Sequence, residues 1–591
     1  MLQQLSWMVG GQQGEGIDPT GSILAKALNR QGYYIYGYRH FSSRIKGGHS
    51  NYKVRISTAP LLANADALDM IVAFDQETID LNAHELRPGG LVIGDSKFKP
   101  SVTRDDVQLI DIPLTKIAEE LGTRIMKNMV AIGATTAIIG VDPDIFTEMI
   151  TAQFARKGDK IVSANLEAIK RGRELALEQL NPELNMALAP ADGTSRLLMM
   201  GNDAVSLGAL AAGCRVMPAY PITPASDIME HLVKQLPDHG GVVLQTEDEI
   251  AAAITAIGAS YAGARAMTAT SGPGLSLMME AIGLSGMTET PLVIIDTQRG
   301  GPSTGLPTKN EQSDVNAALY GTHGEIPRIV LAPSTAEECF YDTVRAFNYA
   351  DEYQVPVILL TDLALSLALQ TVEQLDYCKV TIERGKLLSD EEVAQLTDDN
   401  GYFHRYADTE DGISPRAIPG QKGGTHYVTG VEHNDIGRPV ESADNRQKMM
   451  NKRMRKLEGV ELPDSVVVEE TDDADWLIVG FGSTMGTIAE ARAQLSAAGI
   501  QASQAQIRVL SPFPTVPVKE LVERYKRVLV VESNATGQLA AQIKQRVGAT
   551  DHIFSLVKYD GVPFFPLEIS EHVKELNASG NSERLSYLRE A

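Results

Sequence analysis

Hydrophobic and polar positions switch repeatedly along this chain between the two-residue period of strands and the longer period of helices. Residues 242–246 form a β-branched run that predicts a strand, and Glu247, Asp248 and Glu249 follow it directly. Isoleucine and tyrosine then recur at helical spacing, at Ile250, Ile254, Ile257 and Tyr261. A second predicted strand, 265–269, leads into the glycine turn 270–274. The pattern therefore predicts two consecutive strand–turn–helix units.

Such units place their strands parallel, and open α/β sheets bind ligands at the carboxyl ends of parallel strands. Glu249 directly follows the first of these two strands. We therefore expect its carboxylate at the mouth of a ligand crevice. The alternatives are a surface carboxylate that caps the helix, or the neighbouring Glu247 in its place.

The same rhythm continues along the chain and predicts an α/β fold of three modules. Strands are expected at 5–9, 69–74, 90–94, 291–296, 355–360, 476–480, 504–509 and 528–532. We place the modules at 1–180, 194–378 and 464–591, with a linker at 181–193 and a crossover segment of low periodicity at 379–463. The basic run 445–459 within the crossover predicts a solvated helix.

Composition narrows the class of protein. A chain of 591 residues exceeds the size of one hydrophobic core. It holds 53 Lys+Arg against 76 Asp+Glu, a net charge of −23, which argues against binding to nucleic acid or anionic membranes. It contains no apolar run of membrane length and its first residues do not resemble a signal peptide, so we expect a cytoplasmic protein. Three separated cysteines cannot bind a four-cysteine cluster and are expected to be buried.

Three further loops carry candidate binding residues. The turn VGGQQGEG (9–16) precedes a predicted helix, and KGGHS (46–50) offers Lys46, Gly47, Gly48 and His49. The first suits a dinucleotide or a phosphate, with a tight structural turn as the alternative. The second suits a phosphate, a carboxylate or an acyl-CoA headgroup, with a solvated loop as the alternative. After predicted strand 291–296, Arg299 and Thr308 lie in a loop rich in glycine and hydroxyl groups. One arginine among hydroxyls suits a carboxylate substrate, and an ordinary surface loop is the alternative.

The position of Glu249 favours one kind of chemistry. Thiamine diphosphate becomes a carbanion through its own aminopyrimidine, and a carboxyl group bonded to that ring promotes the required tautomer. Such a group works best away from water. The alanines and isoleucines after Glu249 can exclude solvent.

Several of these segments together resemble a known family. They are Tyr220-Pro221-Ile222-Thr223-Pro224, the Glu249 helix, the turn 270–274 and the loop 299–308. The combination resembles the alpha subunit of 2-oxoacid:ferredoxin oxidoreductases, in the branch with a gamma domain fused in front. The resemblance implies a gamma-type domain, a pyrimidine-binding domain and a transketolase-C-like domain.

The resemblance also implies roles for individual residues. Thr223 and Glu249 would be catalytic, with Thr223, Arg299 and Thr308 contacting the 2-oxoacid. The cofactor would be bound by Tyr220, Pro221, Glu249, Ser271 and Gly272. The resemblance leaves the site of the acyl acceptor open, and the basic glycine turn of Lys46, Gly47, Gly48 and His49 is the candidate for coenzyme A.

The implied reaction is oxidative decarboxylation of a 2-oxoacid, with 2-oxoglutarate as the first choice and pyruvate or branched-chain 2-oxoacids as alternatives. The products would be acyl-CoA and CO2, with electrons passed to ferredoxin. This sequence lacks the GDG signature and cluster cysteines, so the resemblance places Mg²⁺ and the [4Fe–4S] cluster on a beta subunit, in a dimer of alpha–beta heterodimers. No metal site is expected on this chain. A non-catalytic nucleotide-binding scaffold subunit is the competing hypothesis.

Overall fold

The computed structural model of the chain describes residues 1–41, 48–181, 184, 186–548, 551–579 and 585–587. These residues form two compact units. The first combines the described part of 1–200 with Leu367–Gln374 and Phe565–Leu567, and the second contains the remaining described residues.

Within the described residues the strands begin and end as follows: β1 (Gln4–Gln12), β2 (Tyr34–His40), β3 (His49–Ser57), β4 (Leu68–Ala73), β5 (Leu86–Asp95), β6 (Gln108–Ile112), β7 (Leu197–Met200), β8 (Cys214–Ala219), β9 (Val242–Gln245), β10 (Arg265–Thr270), β11 (Leu292–Gln298), β12 (Ile329–Leu331), β13 (Pro356–Asp362), β14 (Leu369–Val372), β15 (Val466–Glu469), β16 (Trp476–Gly480), β17 (Ala502–Ile507), β18 (Val509–Ser511), β19 (Arg527–Glu532), β20 (Ile553–Val557) and β21 (Leu585–Tyr587).

The α-helices of the described residues are α1 (Ile17–Arg30), α2 (Gln76–Asn82), α3 (Leu114–Leu121), α4 (Lys127–Ile139), α5 (Thr147–Phe154), α6 (Asp159–Gln179), α7 (Gly201–Ala211), α8 (Ser226–Gln235), α9 (Glu249–Tyr261), α10 (Gly272–Leu277), α11 (Met279–Thr288), α12 (Val315–Tyr320), α13 (Ala336–Tyr353), α14 (Leu363–Leu367), α15 (Asp390–Gln395), α16 (Ala443–Arg455), α17 (Thr484–Ala497), α18 (Thr515–Arg524), α19 (Gln538–Val547) and α20 (Pro566–Ser579).

The first unit is built on a mixed eight-stranded sheet in the order β6-β5-β4-β1-β3-β2-β14-β7. Strand β1 pairs in parallel with β4 and antiparallel with β3. Strands β7 and β14 lie in the range that the sequence assigned to the pyrimidine-binding module, and the structure places them in this first sheet.

The second unit contains two sheets that are parallel apart from one edge strand each. Their orders are β18-β12-β13-β11-β10-β8-β9 and β15-β17-β16-β19-β20-β21. Strand β8 pairs in parallel with both β9 and β10, which confirms the parallel strands predicted around Glu249. Strand β18 comes from the third module and pairs antiparallel with β12 of the second, so the two modules share a sheet.

Helix α9 buries a different face from the one that the spacing of its large apolar residues predicts. Its small residues Ala252, Ala253 and Ala256 are buried, whereas Ile250 is 48% exposed and Ile254 39% exposed. Close packing on β8 and β10 requires small side chains at these positions, so Ile250 and Ile254 remain outside, whereas Ile257 is buried. The neighbouring edge strand β9 also exposes apolar side chains, Val242 and Leu244.

The prediction of a solvated basic helix in the crossover segment is wrong. Helix α16 buries Lys452 and Arg453, and Lys456 just beyond its end is buried too. Acidic partners from other parts of the chain make this burial possible.

Cysteine burial was predicted correctly for Cys214 and Cys339, but Cys378 is exposed because it lies in a short surface turn. No helix in the described part of the chain is long and apolar enough to cross a membrane.

Candidate active site

Four of the predicted binding segments meet at one edge of the seven-stranded sheet. Strands β9, β8, β10 and β11 are consecutive neighbours and run parallel. Tyr220 follows β8, Glu249 follows β9 after a short corner, Ser271 follows β10 and Arg299 follows β11. Because parallel strands end at the same edge, segments far apart in sequence come together there.

Glu249 is buried at this edge, and the alternative of a surface cap is wrong. It is the first residue of α9 and is 5% exposed. The capping role belongs to Asp248, whose carboxylate accepts a hydrogen bond from the backbone N–H of Ala251 at 2.7 Å. Glu247 is exposed. The Glu249 side chain packs over the glycine turn, since a β carbon on Gly274 would lie 2.6 Å from its Cγ and 2.7 Å from its Oε1.

Arg299 and Thr223 are brought together directly. The Arg299 Nη1 donates to the backbone carbonyl of Thr223 at 2.6 Å, and its Nη2 donates to that of Thr304 at 3.4 Å. Arg299 is buried, and among the described residues its Nε has no hydrogen-bond partner. Thr308 lies half-buried in the same loop, and no hydrogen bond described for the chain joins it to Arg299 or Thr223.

The turn after β10 forms a cradle of backbone with little side chain. Ser271 is fully buried, and its Oγ lacks a hydrogen-bond partner among the described residues. A β carbon on Gly272 would lie 2.7 Å from each carboxylate oxygen of Asp314, so any larger residue there would displace the Asp314 side chain. Tyr220 and Pro221 are exposed at the same edge.

Sequence reasoning missed two carboxyl groups beneath this site. Asp296 on β11 is fully buried, and neither of its oxygens has a hydrogen-bond partner in the described structure. Burial, with the charge of Asp314, raises the pKa of Asp296 well above its usual range. Burial and the charge of Glu311 raise the pKa of Asp314 to about 6, against the opposing charge of Arg299. The sequence signal that could have identified Asp296 is a single acidic residue directly after the apolar run of β11.

Asp314→Asn is expected to stabilise the folded chain at neutral pH. The folded state holds a proton on Asp314 up to about pH 6, whereas the unfolded chain releases it near pH 4. Stability therefore falls as pH rises through this window, and the penalty of about 1–3 kcal/mol is complete above it. The side chain caps no backbone N–H of α12, so asparagine loses no cap.

Thermal unfolding at pH 7.5 and 5.5 measures this effect, and the gain should shrink at the lower pH. Glu325→Gln, which removes the same charge from an exposed loop, is the control and should change neither value. A destabilised Asp314→Asn chain at pH 7.5 would show that the carboxylate is needed for folding.

In the first unit, pairing of β1 with β3 brings the two glycine turns together. Gln12 faces His49 across the strands, and the Gln13 N–H donates to the Gly48 carbonyl at 3.2 Å. The Asn82 side-chain nitrogen lies 3.1 Å from the His49 Nε2, and burial lowers the pKa of His49. Lys46 and Gly47 lie outside the described residues.

Family models match almost the whole chain in three segments. Residues 6–175 match "Pyruvate ferredoxin/flavodoxin oxidoreductase". Residues 207–452 match "Pyruvate flavodoxin/ferredoxin oxidoreductase, thiamine diP-bdg". Residues 474–569 match "Pyruvate:ferredoxin oxidoreductase core domain II".

Two curated relatives match this chain over at least 90% of both lengths. A 2-oxoacid:ferredoxin oxidoreductase alpha subunit of Aeropyrum pernix is 34% identical over 98% of each chain. The chain belongs to the 2-oxoacid:ferredoxin oxidoreductase family, as an alpha subunit. The "2-oxoglutarate oxidoreductase subunit KorA" of Mycobacterium tuberculosis is 32% identical, covering 95% of this chain and 90% of its own.

A solved member of the 2-oxoacid:ferredoxin oxidoreductase family has the same fold. It is the 2-oxoglutarate:ferredoxin oxidoreductase from Magnetococcus marinus, solved with 2-oxoglutarate, coenzyme A and succinyl-CoA bound. It is 37% identical, with a TM-score of 0.90, over 97% of this chain and 100% of that one. The three-module α/β fold class and the family resemblance are thus confirmed, and the chain is a subunit of an oxidoreductase.

The residues at this edge of the seven-stranded sheet suit thiamine diphosphate, the ligand named by the family model that matches residues 207–452. A buried carboxylate at Glu249 suits the aminopyrimidine ring. The unpartnered Ser271 Oγ and the cradle at Gly272 offer a polar contact and a close approach to backbone.

Proposed function

We propose that this alpha subunit, joined to a beta subunit, converts 2-oxoglutarate to its acyl-CoA. In the balanced reaction, 2-oxoacid, coenzyme A and two oxidised ferredoxins give acyl-CoA, CO2, two reduced ferredoxins and one proton. The observation that carries the proposal is the meeting of the buried Glu249 and Arg299 with the half-buried Thr223 at one sheet edge. The 2-oxoglutarate names of two similar proteins support the choice of substrate.

The proposed roles follow from what each side chain can do. Thiamine diphosphate held by Glu249, Ser271 and Gly272 would supply a nucleophilic carbon and an electron sink for the decarboxylation. Glu249 holds a proton at the aminopyrimidine ring, in a site where the small residues of α9 exclude water. Arg299 attracts the 2-oxoacid carboxylate, because its Nε is unpartnered among the described residues and its charge is buried. Thr223 and Thr308 add neutral donors, and Tyr220, Pro221, Ser271 and Gly272 line the cofactor.

The surface beside Glu249 supports a partner subunit. Helix α9 and edge strand β9 expose Ile250, Ile254, Val242 and Leu244, and exposed apolar groups next to a site indicate an interface. We propose that the beta subunit covers them and contributes the diphosphate site with Mg²⁺ and the [4Fe–4S] cluster. The complex would then be a dimer of alpha–beta heterodimers in the cytoplasm.

We place the acyl acceptor, coenzyme A, at the glycine turns of the first unit. Support comes from the paired turns at Gly48 and residues 9–16, and from the half-buried His49 beside them. Lys46 and Gly47 are part of this proposal from the sequence.

Two preparations test the proposal. The chain is purified alone and co-expressed with the beta subunit, and each sample is assayed for thiamine diphosphate and iron. We expect only the pair to retain the cofactor, together with about four iron atoms per pair, and to reduce ferredoxin faster with 2-oxoglutarate than with pyruvate or a branched-chain 2-oxoacid. Cofactor bound by the chain alone would contradict the shared site, and a preference for pyruvate would contradict the substrate.

A further inference from the structure

The second unit buries more positive than negative charge where the crossover segment packs on the pyrimidine-binding module. We call this group the buried cationic cluster. Its cations are Arg265, Arg405, Arg416, Lys452 and Lys456, and its carboxylates are Glu289 and Asp351. Every one of these residues is at most 4% exposed. Even with Lys456 counted as neutral, because burial lowers its pKa to about 7, four cations face two carboxylates, and an uncompensated charge buried in a protein is strongly unfavourable.

Both carboxylates already serve two or more cations. Glu289 accepts from the Lys452 Nζ at 2.7 Å and lies 2.7 Å from the Lys456 Nζ. Asp351 lies 3.0 Å from the Arg265 Nε and 2.8 Å from the Arg416 Nη2. The partly exposed Arg384 also contacts Asp351, at 2.9 Å. The nearby Arg453 does not add to the excess, because Glu432 pairs with it.

Two guanidinium groups of the cluster retain buried N–H donors without partners. Arg405 donates through its Nη2 to the Glu289 backbone carbonyl at 2.6 Å, while its Nη1 has no partner among the described residues. The Nε and Nη1 of Arg416 are likewise unpartnered there. The two segments that carry them lie close together, since Ser414, two residues before Arg416, donates through its Oγ to the carbonyl of Ala407, two residues after Arg405, at 2.8 Å.

We propose that a small inorganic anion of the size of chloride binds between Arg405 and Arg416. An anion would accept hydrogen bonds from the unpartnered guanidinium N–H groups, and it would also offset part of the excess positive charge. A water molecule would satisfy the donors and leave the charge excess unchanged. The ion would act as a structural part of the second unit that fixes the crossover segment on the module beneath it.

Crystals of the full chain, with any partner subunit it retains, test the position of the ion. They are grown in sodium chloride and measured at long wavelength, where chloride gives an anomalous signal and water does not. We expect a peak within hydrogen-bond distance of Arg405 and Arg416. Electron density there without an anomalous signal identifies water and overturns the proposal, as does an anomalous peak found only elsewhere.

Thermal unfolding tests the same site in solution. Stability should rise with chloride at fixed ionic strength, with sodium gluconate as the replacement salt, by a constant increment for each tenfold rise above the Kd. Arg416→Gln should abolish this dependence. Arg384→Gln is the matched control, because it removes a contact to the same Asp351 from a partly exposed position, and it should retain the dependence. If Arg416→Gln does not fold, the chloride titration of the unmodified chain decides, and a flat response overturns the proposal.

Discussion

Glu249→Gln is expected to lower the turnover of the assembled complex by about 10²–10⁴-fold, the usual contribution of a positioned acid or base. Glutamine nearly matches glutamate in shape, so it keeps the packing against Gly274. It cannot exchange a proton with the aminopyrimidine ring. The measurement is ferredoxin reduction by the purified alpha–beta complex at saturating 2-oxoglutarate and coenzyme A.

Glu247→Gln is the matched control, since it makes the same substitution on an exposed residue of the same acidic corner, and it should leave turnover unchanged. Gel filtration of both variants should show an intact complex. Turnover within threefold of the unmodified enzyme in Glu249→Gln would remove Glu249 from the mechanism. If instead the complex dissociates, the role of Glu249 lies in assembly.

Glu289→Gln is expected to cost about 3–5 kcal/mol of unfolding free energy, the range measured when one partner of a buried ion pair is removed. Glu289 is fully buried at the end of α11. Although burial acts to raise the pKa of Glu289, Lys452, Lys456 and Arg405 hold it well below its usual range. Glutamine removes the only carboxylate that the two lysine ammonium groups share in the described structure.

The loss should also depend on pH. Burial lowers the pKa of Lys456 to about 7, against the opposing charge of Glu289, whereas an unfolded lysine titrates near 10.4. The unfolded chain therefore binds more protons between these values, and stability rises with pH across that window. Without Glu289 the lysines lose their proton more readily, so the penalty of Glu289→Gln should be smaller at pH 9 than at pH 7.

Urea unfolding at the two pH values measures both effects. Glu280→Gln is the control, because it removes the same charge from an exposed position on the same helix, and it should unfold like the unmodified chain. A loss below 1 kcal/mol for Glu289→Gln at pH 7 would mean that the lysines find other partners or stay neutral.

The orientation of α9 is a feature that the local sequence pattern does not predict. The isoleucine period predicts the helix, and the helix is present. Yet alanines face the sheet and Ile250 and Ile254 face outward. The distance to β8 and β10 sets which face is buried, and that distance is a property of the packed sheet. The same holds for α16, whose lysines are buried only because Glu289 comes from a distant helix.

The sequence by itself determined the features that depend on neighbouring residues. These are the α/β rhythm, the order of strands and helices, and the placement of Glu249, Ser271 and Arg299 directly after strands. Each follows from hydrophobic period and turn residues within a few positions. Tertiary structure alone decided what depends on partners far along the chain: the joining of β7 and β14 to the first sheet, the contact of Arg299 with Thr223, and the carboxyl groups of Asp296 and Asp314 beneath the site. Such pairings are set by the packing of whole sheets, and no local pattern encodes them.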